Sequence, residues 1–216
     1  MSGFAARFRQ YFGFWLLTSA EKGVARRRAR LRDRSNNLFQ GESQMHQATN
    51  HVRYLAIAAL FAAMTTISIV LFRIPVGQGI IHVGDAVIYL AATLLPKPYA
   101  LAAAAIGGGM ANIVTPTTIW LPATVVIKPL IAASFTANGN FVSRRNILAL
   151  FIAAIITVVG YYLWAAIVVY GSWISPLASS IWGGLTQSGG SAVIFLLVGG
   201  AFDRMNLKKR LGMGSN

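Results

Sequence analysis

The feature that most constrains this chain is a near-absence of acidic residues over a long apolar stretch. Between Glu42 and Asp203 the sequence carries one carboxylate side chain, that of Asp85. Within the same stretch, uncharged apolar runs occupy residues 54–72, 99–114, 147–170 and 181–202. Each run approaches the roughly 20 residues that a helix needs to cross the hydrocarbon of a bilayer. The sequence therefore predicts a membrane protein, in agreement with its 56% content of hydrophobic residues.

Two weaker segments complete the predicted set of membrane helices. Residues 80–95 are short and contain Asp85, and residues 118–136 contain Lys128 near their middle. The glycines and His82 of GQGIIHVG, just before Asp85, indicate an irregular external loop. A membrane β-barrel would show alternating segments of roughly ten residues, whereas these runs are apolar on successive residues. We therefore predict an all-α membrane protein with six transmembrane helices, embedded in a lipid bilayer.

The basic residues predict the orientation of the chain. Ten of the 19 Lys and Arg residues precede Tyr54, and a further cluster follows the last apolar run. If both termini are cytoplasmic, Lys97 and the Arg144–Arg145 pair also fall in cytoplasmic loops, which satisfies the positive-inside rule. The net charge of +14 is explained in this way without a nucleic-acid partner.

The chain divides into three predicted regions. Residues 1–50 are expected to be a basic, disordered or interfacial extension, residues 54–203 a six-helix substrate-binding domain, and residues 204–216 a basic cytoplasmic tail. Met45 lies just before the first apolar run and is an alternative expected start of translation.

Asp85 and Lys128 are the charged residues that the predicted helices carry inside the bilayer. An isolated charge at the centre of a membrane helix costs about 2.5–3.5 kcal/mol on insertion scales, so such residues usually have a partner or face water. Lys128 lies about 15 Å along its helix at 1.5 Å per residue, and its flexible stem could reach Asp85. Three interpretations stay open: a buried ion pair that fixes helix packing, a first-turn carboxylate favoured by the helix dipole, and a ligand contact.

Further polar and aromatic residues fall in the outer halves of the predicted fourth, fifth and sixth helices. Trp120, Thr124 and Lys128 are spaced by four and share one helix face. Trp164 and Trp182 are either members of an interfacial aromatic belt or parts of a ligand pocket. The amide of Gln187 needs hydrogen-bond partners on another helix or on a ligand. The predicted substrate-binding residues are Asp85, Trp120, Thr124, Lys128, Trp164, Trp182 and Gln187.

The residue types present argue against an enzyme. Residues 54–202 hold one Asp and one His, so they contain neither a carboxylate pair nor a His cluster. The chain also has no cysteine. No phosphate-binding GxxxxGK[ST] motif occurs, so if the chain is part of an ATP-driven importer, ATP hydrolysis has to come from another chain. We expect no catalytic residue, metal or cofactor. An ion-coupled secondary transporter or channel, and a purely structural membrane protein, remain as alternatives.

The segments GDAVIYLAATLLPKPYALAAAAIGGGMANIVTP and WLPATVVIKPLIA resemble the substrate-binding S components of energy-coupling factor (ECF) transporters, which import vitamins into bacteria. The resemblance implies six helices with cytoplasmic termini in the plasma membrane. It also implies a ligand pocket near the outer face, built from the loop after the first helix and from helices four to six. Thiamine or its pyrimidine precursor, riboflavin, pantothenate and cobalamin-related compounds all suit the predicted residues.

A strip of alanines on the first helix is the predicted docking face. Ala58 and Ala62, and likewise Ala59 and Ala63, are four residues apart and align on one side of a helix. Small residues allow a second helix to approach closely in lipid, and the chain's own third helix is one possible partner. The resemblance implies the other partner, the transmembrane T component that links an S component to a pair of ATPase subunits.

Overall fold

The computed structural model describes residues 49–76 and 79–213, and most of these residues are helical. The predicted extension, residues 1–50, lies outside the described residues except for Thr49 and Asn50, which begin the first helix. From residue 53 onward the chain forms one compact unit. In chain order the helices are α1 (Thr49–Leu71), α2 (Gly84–Leu94), α3 (Lys97–Val114), α4 (Leu121–Ser134), α5 (Arg144–Trp164), α6 (Leu177–Arg204) and α7 (Leu207–Arg210).

Three helices of the described part are long and apolar enough to cross a membrane: Thr49–Leu71, Arg144–Val169 and Leu177–Arg204. They correspond to the predicted spans 54–72, 147–170 and 181–202. The segment Thr118–Ser134, which comprises a short 3-10 turn and α4, is apolar but shorter, and so is α2. Helix α3 has 18 residues and covers the whole of the predicted run 99–114.

The second predicted span, residues 80–95, differs from the structure at its beginning. Strands β1 (Arg73–Val76) and β2 (Gly79–His82) form an antiparallel hairpin, with Ile74 opposite Ile81, where we expected an irregular loop. The β-branched pair Ile80–Ile81 favours a strand, whereas the surrounding glycines favour irregular backbone. Helix α2 has 11 residues and is therefore about 16 Å long, roughly half the hydrocarbon thickness of a bilayer.

Helices α1 and α3 cross at very short distance because Gly107 has no side chain. A Cβ atom at Gly107 would lie 2.7 Å from the carbonyl oxygen of Ala62 and 2.8 Å from Cβ of Thr65. The hydroxyl of Thr66 uses this proximity to donate a hydrogen bond of 2.9 Å to the carbonyl oxygen of Gly107. The small residues of α3 thus set the position of α1, as is usual for helix pairs in lipid.

The loop between α4 and α5 is fastened to the C-terminal end of the chain. The carboxylate of Asp203 accepts hydrogen bonds from the backbone N–H groups of Phe141 and Val142, at 2.8 and 2.9 Å. Nζ of Lys208 donates to the carbonyl oxygens of Ala137 and Gly139. Burial lowers the pKa of Lys208 from 10.5 to about 8, although the nearby Asp203 carboxylate acts in the opposite direction. The predicted tail therefore begins with an ordered helix, α7.

Candidate functional site

Asp85 is the centre of a buried polar cluster. It lies in the first turn of α2, directly after the β-hairpin, and its side chain is fully buried. Its Oδ1 atom forms an ion pair with Nζ of Lys128 on α4, and its Oδ2 atom accepts a hydrogen bond of 2.7 Å from Nε2 of Gln187 on α6. We call Asp85, Lys128 and Gln187 the Asp85 cluster. It joins three helices through side chains that the sequence analysis had singled out.

The arrangement of the Asp85 cluster answers the energetic problem of two charges inside a bilayer. Moving each charge out of water carries a large desolvation cost, which the mutual attraction offsets only when the remaining hydrogen-bonding capacity is used. Here both carboxylate oxygens have donors, and one of those donors is the amide of Gln187. The second N–H and the Oε1 atom of Gln187, together with the other protons of the Lys128 ammonium, can contact a further group.

A second set of polar side chains begins where Lys128 meets α5. The Lys128 ammonium lies 5.4 Å from the ring centroid of Tyr161, within cation–π range. The Tyr161 hydroxyl approaches Oγ1 of Thr124 at 3.3 Å, and the same oxygen accepts a hydrogen bond of 2.7 Å from Nδ2 of Asn112 on α3. Oδ1 of Asn112 in turn accepts from the Thr117 hydroxyl at 3.2 Å. We call Tyr161, Thr124, Asn112 and Thr117 the Asn112 chain.

Close packing of α3 on α4 brings the two polar sets together. A Cβ atom at Gly108 would lie 2.9 Å from Cγ2 of Thr124 and 3.0 Å from Cγ of Lys128, so only glycine fits there without a shift of these side chains. Asn112 and Thr117 were not among the residues predicted from the sequence. Asn112 is a lone amide within the small and apolar residues of α3, and this was the signal that could have revealed it.

The three predicted tryptophans have different surroundings. The ring of Trp120 packs against that of Tyr161, with centroids 6.0 Å apart and the planes tilted by 58°. Trp164 is half-buried, and its Nε1 donates a hydrogen bond of 3.0 Å to the carbonyl oxygen of Ile119. Trp182 is 71% exposed on α6. The structure therefore places Trp120 beside the Asn112 chain and Trp164 next to the turn that carries Trp120. The side chain of Trp182 is mostly exposed.

The alanine strip of α1 has two sides with different exposure. Ala58 and Ala62 are each 7% exposed, whereas Ala59 and Ala63 are exposed. All four border an open apolar groove between α1 and α3, together with Tyr99, Ala102, Ala103, Ile106 and Met110 on α3. One half of the strip thus belongs to the internal contact with α3, and the other half remains accessible.

Among the described residues, no group of three or more His, Cys, Asp or Glu side chains could hold a metal ion. The polar sets described above hold one charged pair, and otherwise amides and hydroxyls. Such groups can bind and orient a polar aromatic molecule, and they lack the paired acids and bases typical of a hydrolytic site.

Comparison with known proteins gives one family. Residues 49–204 match the family model described as ECF-type riboflavin transporter, S component. No curated protein matches the chain. The matched region begins with α1 and ends with α6, so it contains both polar sets and the α1–α3 groove.

Proposed function

Since the chain belongs to the family of ECF-type riboflavin transporter S components, we propose that riboflavin is the vitamin that it binds. Membership of the family makes the chain the substrate-binding subunit of an ECF importer for a vitamin, within a family of transporters rather than enzymes. The match over residues 49–204 is the observation that carries the proposal.

The chemistry of riboflavin fits the two polar sets. Its isoalloxazine ring has carbonyl oxygens and an imide N–H along one edge, and a flexible chain with four hydroxyl groups on the central ring. Lys128 and Gln187 offer donors and an acceptor at the Asp85 cluster, and the Asn112 chain adds hydroxyls on the neighbouring helices. We propose that Lys128, Gln187 and Thr124 orient the ligand, while Asp85 holds Lys128 and Gln187 in place.

Aromatic side chains would supply most of the contact area. Offset stacking of aromatic rings adds about 0.5–1.5 kcal/mol beyond the burial of apolar area. Trp120 and Tyr161 already pack against each other, and the hydrogen bond of Trp164 to Ile119 holds the turn before α4. We propose that Trp120 and Trp164 form the wall of the cavity and that the exposed Trp182 borders its rim. The hairpin, residues 73–82, would close the cavity from outside.

The energy of ATP hydrolysis would reach the chain through contacts on α1. In our proposal the T component packs on the exposed Ala59 and Ala63, and a pair of ATPase subunits drives the assembly. Ala58 and Ala62 would contribute indirectly, because their small size lets α1 lie close to α3 and so determines the shape of the groove.

The topology follows the charge distribution. We propose six crossings with both termini in the cytoplasm of a bacterial cell and the chain in its plasma membrane. The short helix α2 would complete its crossing through the β-hairpin, whose paired strands satisfy their own backbone groups.

A direct experiment is the purification of the full chain in detergent, followed by titration with riboflavin. The absorption spectrum of the purified protein would reveal bound flavin, and quenching of flavin fluorescence would give the dissociation constant. Thiamine, pantothenate and cobalamin serve as competitors. Saturable binding of riboflavin that a large excess of these vitamins leaves unchanged would support the proposal. Tight binding of one of the competitors, with none of riboflavin, would contradict it.

A further inference from the structure

Three buried hydroxyl groups lie directly below the Asp85 cluster without an aligned hydrogen-bond partner in the protein. They belong to Tyr89 on α2 and to Ser188 and Ser191 on α6. The side chain of Tyr89 is 0% exposed, and those of Ser188 and Ser191 are 4% and 0% exposed. Buried polar groups in native proteins almost always have a partner, either in the protein or in ordered water.

The two serines lack a backbone bond that several other hydroxyl residues of this chain form. A Ser or Thr inside a helix commonly donates to the carbonyl oxygen four residues earlier. Thr93, Thr115 and Ser134 do so here, at 2.9, 2.6 and 3.3 Å. The hydroxyls of Ser188 and Ser191 make no such bond. They remain available to a molecule held between the helices.

Contacts between α2 and α6 place the three residues in one buried region. Gln187 on α6 bonds to Asp85 on α2, and Phe195, two turns further along α6, packs edge-on against the ring of Tyr89 at 6.0 Å. Ser188 and Ser191 lie between these two contacts on the buried face of α6. The Ser188 hydroxyl is close to that of Tyr89, although the two do not form an aligned bond.

The far side of this region is closed by aromatic rings. Tyr89 stacks on Phe135, with centroids 4.8 Å apart, and Phe135 packs edge-on against Phe195 at 5.7 Å. Asp85 lies one helical turn before Tyr89 on α2 and so borders the region on the opposite side. The region therefore has the Asp85 cluster at one end and the rings of Phe135 and Phe195 at the other.

We propose that Tyr89, Ser188 and Ser191 form an internal hydration site, in which ordered water bridges the three hydroxyls beneath the Asp85 cluster. Water is the ligand of choice because each hydroxyl needs both donors and acceptors, which a water molecule supplies at once. Internal waters typically make about three hydrogen bonds, the number that these hydroxyls offer. Such water would also lower the cost of the buried Asp85 charge by polarisation.

Radiolytic labelling tests the site in the full chain in lipid nanodiscs. An X-ray pulse converts bound water into hydroxyl radicals, which oxidise the side chains next to it, and mass spectrometry identifies them. Phe141 is the internal reference because it is 1% exposed and packs against Phe202. After correction for intrinsic reactivity, we expect Tyr89 to be oxidised roughly ten-fold faster than Phe141, whose ring is covered by Phe202 and the Lys208 ammonium rather than by the proposed water. Equal rates for Tyr89 and Phe141 would overturn the proposal.

Two further measurements separate ordered water from bulk water. After rapid mixing with ¹⁸O-labelled water, ¹⁸O should enter oxidised Tyr89 later than oxidised Trp182, which is 71% exposed. Simultaneous entry would show bulk water and overturn the proposal. The double variant Ser188→Ala with Ser191→Ala should reduce oxidation of Tyr89 to the level of Phe141. Unchanged oxidation in this variant would contradict the assignment to the serines. Ser179→Ala is the matched control, because the Ser179 hydroxyl donates to the carbonyl oxygen of Pro176, the residue just before α6.

Discussion

Replacing Asp85 with asparagine tests whether the Asp85 cluster acts as a coupled unit. The substitution keeps the size of the side chain and an oxygen that can accept from Gln187, and it removes the negative charge opposite Lys128. The Lys128 ammonium would then be buried without its counter-ion. Combining Asp85→Asn with Lys128→Met removes both charges, and no buried charge is left without a counter-ion. We therefore expect the double variant to be more stable than the single variant Asp85→Asn.

The expected loss of stability in Asp85→Asn follows from the complete burial of the Asp85 and Lys128 side chains. Breaking a buried ion pair from one side typically costs about 3–5 kcal/mol, whereas replacing the whole pair by uncharged residues is often close to neutral. For a chain of this length, each kcal/mol lowers the melting temperature by about 2–4 °C, so Asp85→Asn should lower it by roughly 6–20 °C. The double variant should recover at least half of this loss, because the methionine side chain fills the volume of the lysine stem.

Thermal unfolding of the purified chain, followed by tryptophan fluorescence and by size-exclusion chromatography after heating, measures these differences. The combination Asp203→Asn with Lys128→Met is the matched control, because Asp203 bonds to the α4–α5 loop and makes no contact with Lys128. Its two effects should add within about 0.5 kcal/mol. If the effects of Asp85→Asn and Lys128→Met add to the same accuracy, the two side chains do not stabilise each other and our reasoning is wrong.

Three more predictions follow from the structure. Ala63→Trp should abolish ATP-dependent uptake in cells and leave the ligand affinity of the isolated protein unchanged. Ala62→Trp should destabilise the fold, because the backbone of residue 62 lies against Gly107. Equal loss of ligand binding in both variants would show that the exposed and buried alanines do not differ in role. Tyr161→Phe removes one hydrogen bond to Thr124 and should weaken riboflavin binding by about 2- to 12-fold, as measured by fluorescence quenching, and an unchanged dissociation constant would remove Tyr161 from the site. Because the folded-state pKa of Lys208 is lowered to about 8, the unfolded chain binds more protons between pH 8 and about 10.5, so the stability of the wild type should rise with pH relative to Lys208→Met. Lys209→Met, a change at an exposed position, keeps Lys208 and should follow the wild-type pH profile in thermal unfolding, whereas identical profiles for Lys208→Met and Lys209→Met would contradict the assignment.

Hydropathy alone predicted the positions of the long helices, because a helix that crosses lipid has to be apolar along its whole length. The structure has helices over most of each predicted span, and the three longest are long and apolar enough to cross. The hairpin was missed, since glycines at residues 77, 79 and 84 suggested irregular backbone and the strands are only four residues long. Orientation and the number of crossings remain predictions from the charge distribution.

The Asp85–Lys128 contact was foreseeable because an unpaired charge in lipid is costly, so two such residues at similar depth should meet. The partner of Gln187 was not foreseeable, since an amide can bond to any polar group within reach. Trp182 shows a related limit: its position on α6 was predicted, and its direction depends on how α6 is rotated against its neighbours. The same rotation on α1 separates Ala58 and Ala62, which face α3, from the exposed Ala59 and Ala63.

The closed ion pair has a consequence for the electrical behaviour of the protein. The voltage across a cell membrane does work of about 2.3 kcal/mol per elementary charge for every 100 mV that the charge crosses. Asp85 and Lys128 form a pair of zero net charge, so a displacement of the pair with its helices would involve almost no electrical work. A chain that had lost only Lys128 would carry a net negative charge inside the field. Its conformational equilibrium would then depend on the energisation of the membrane.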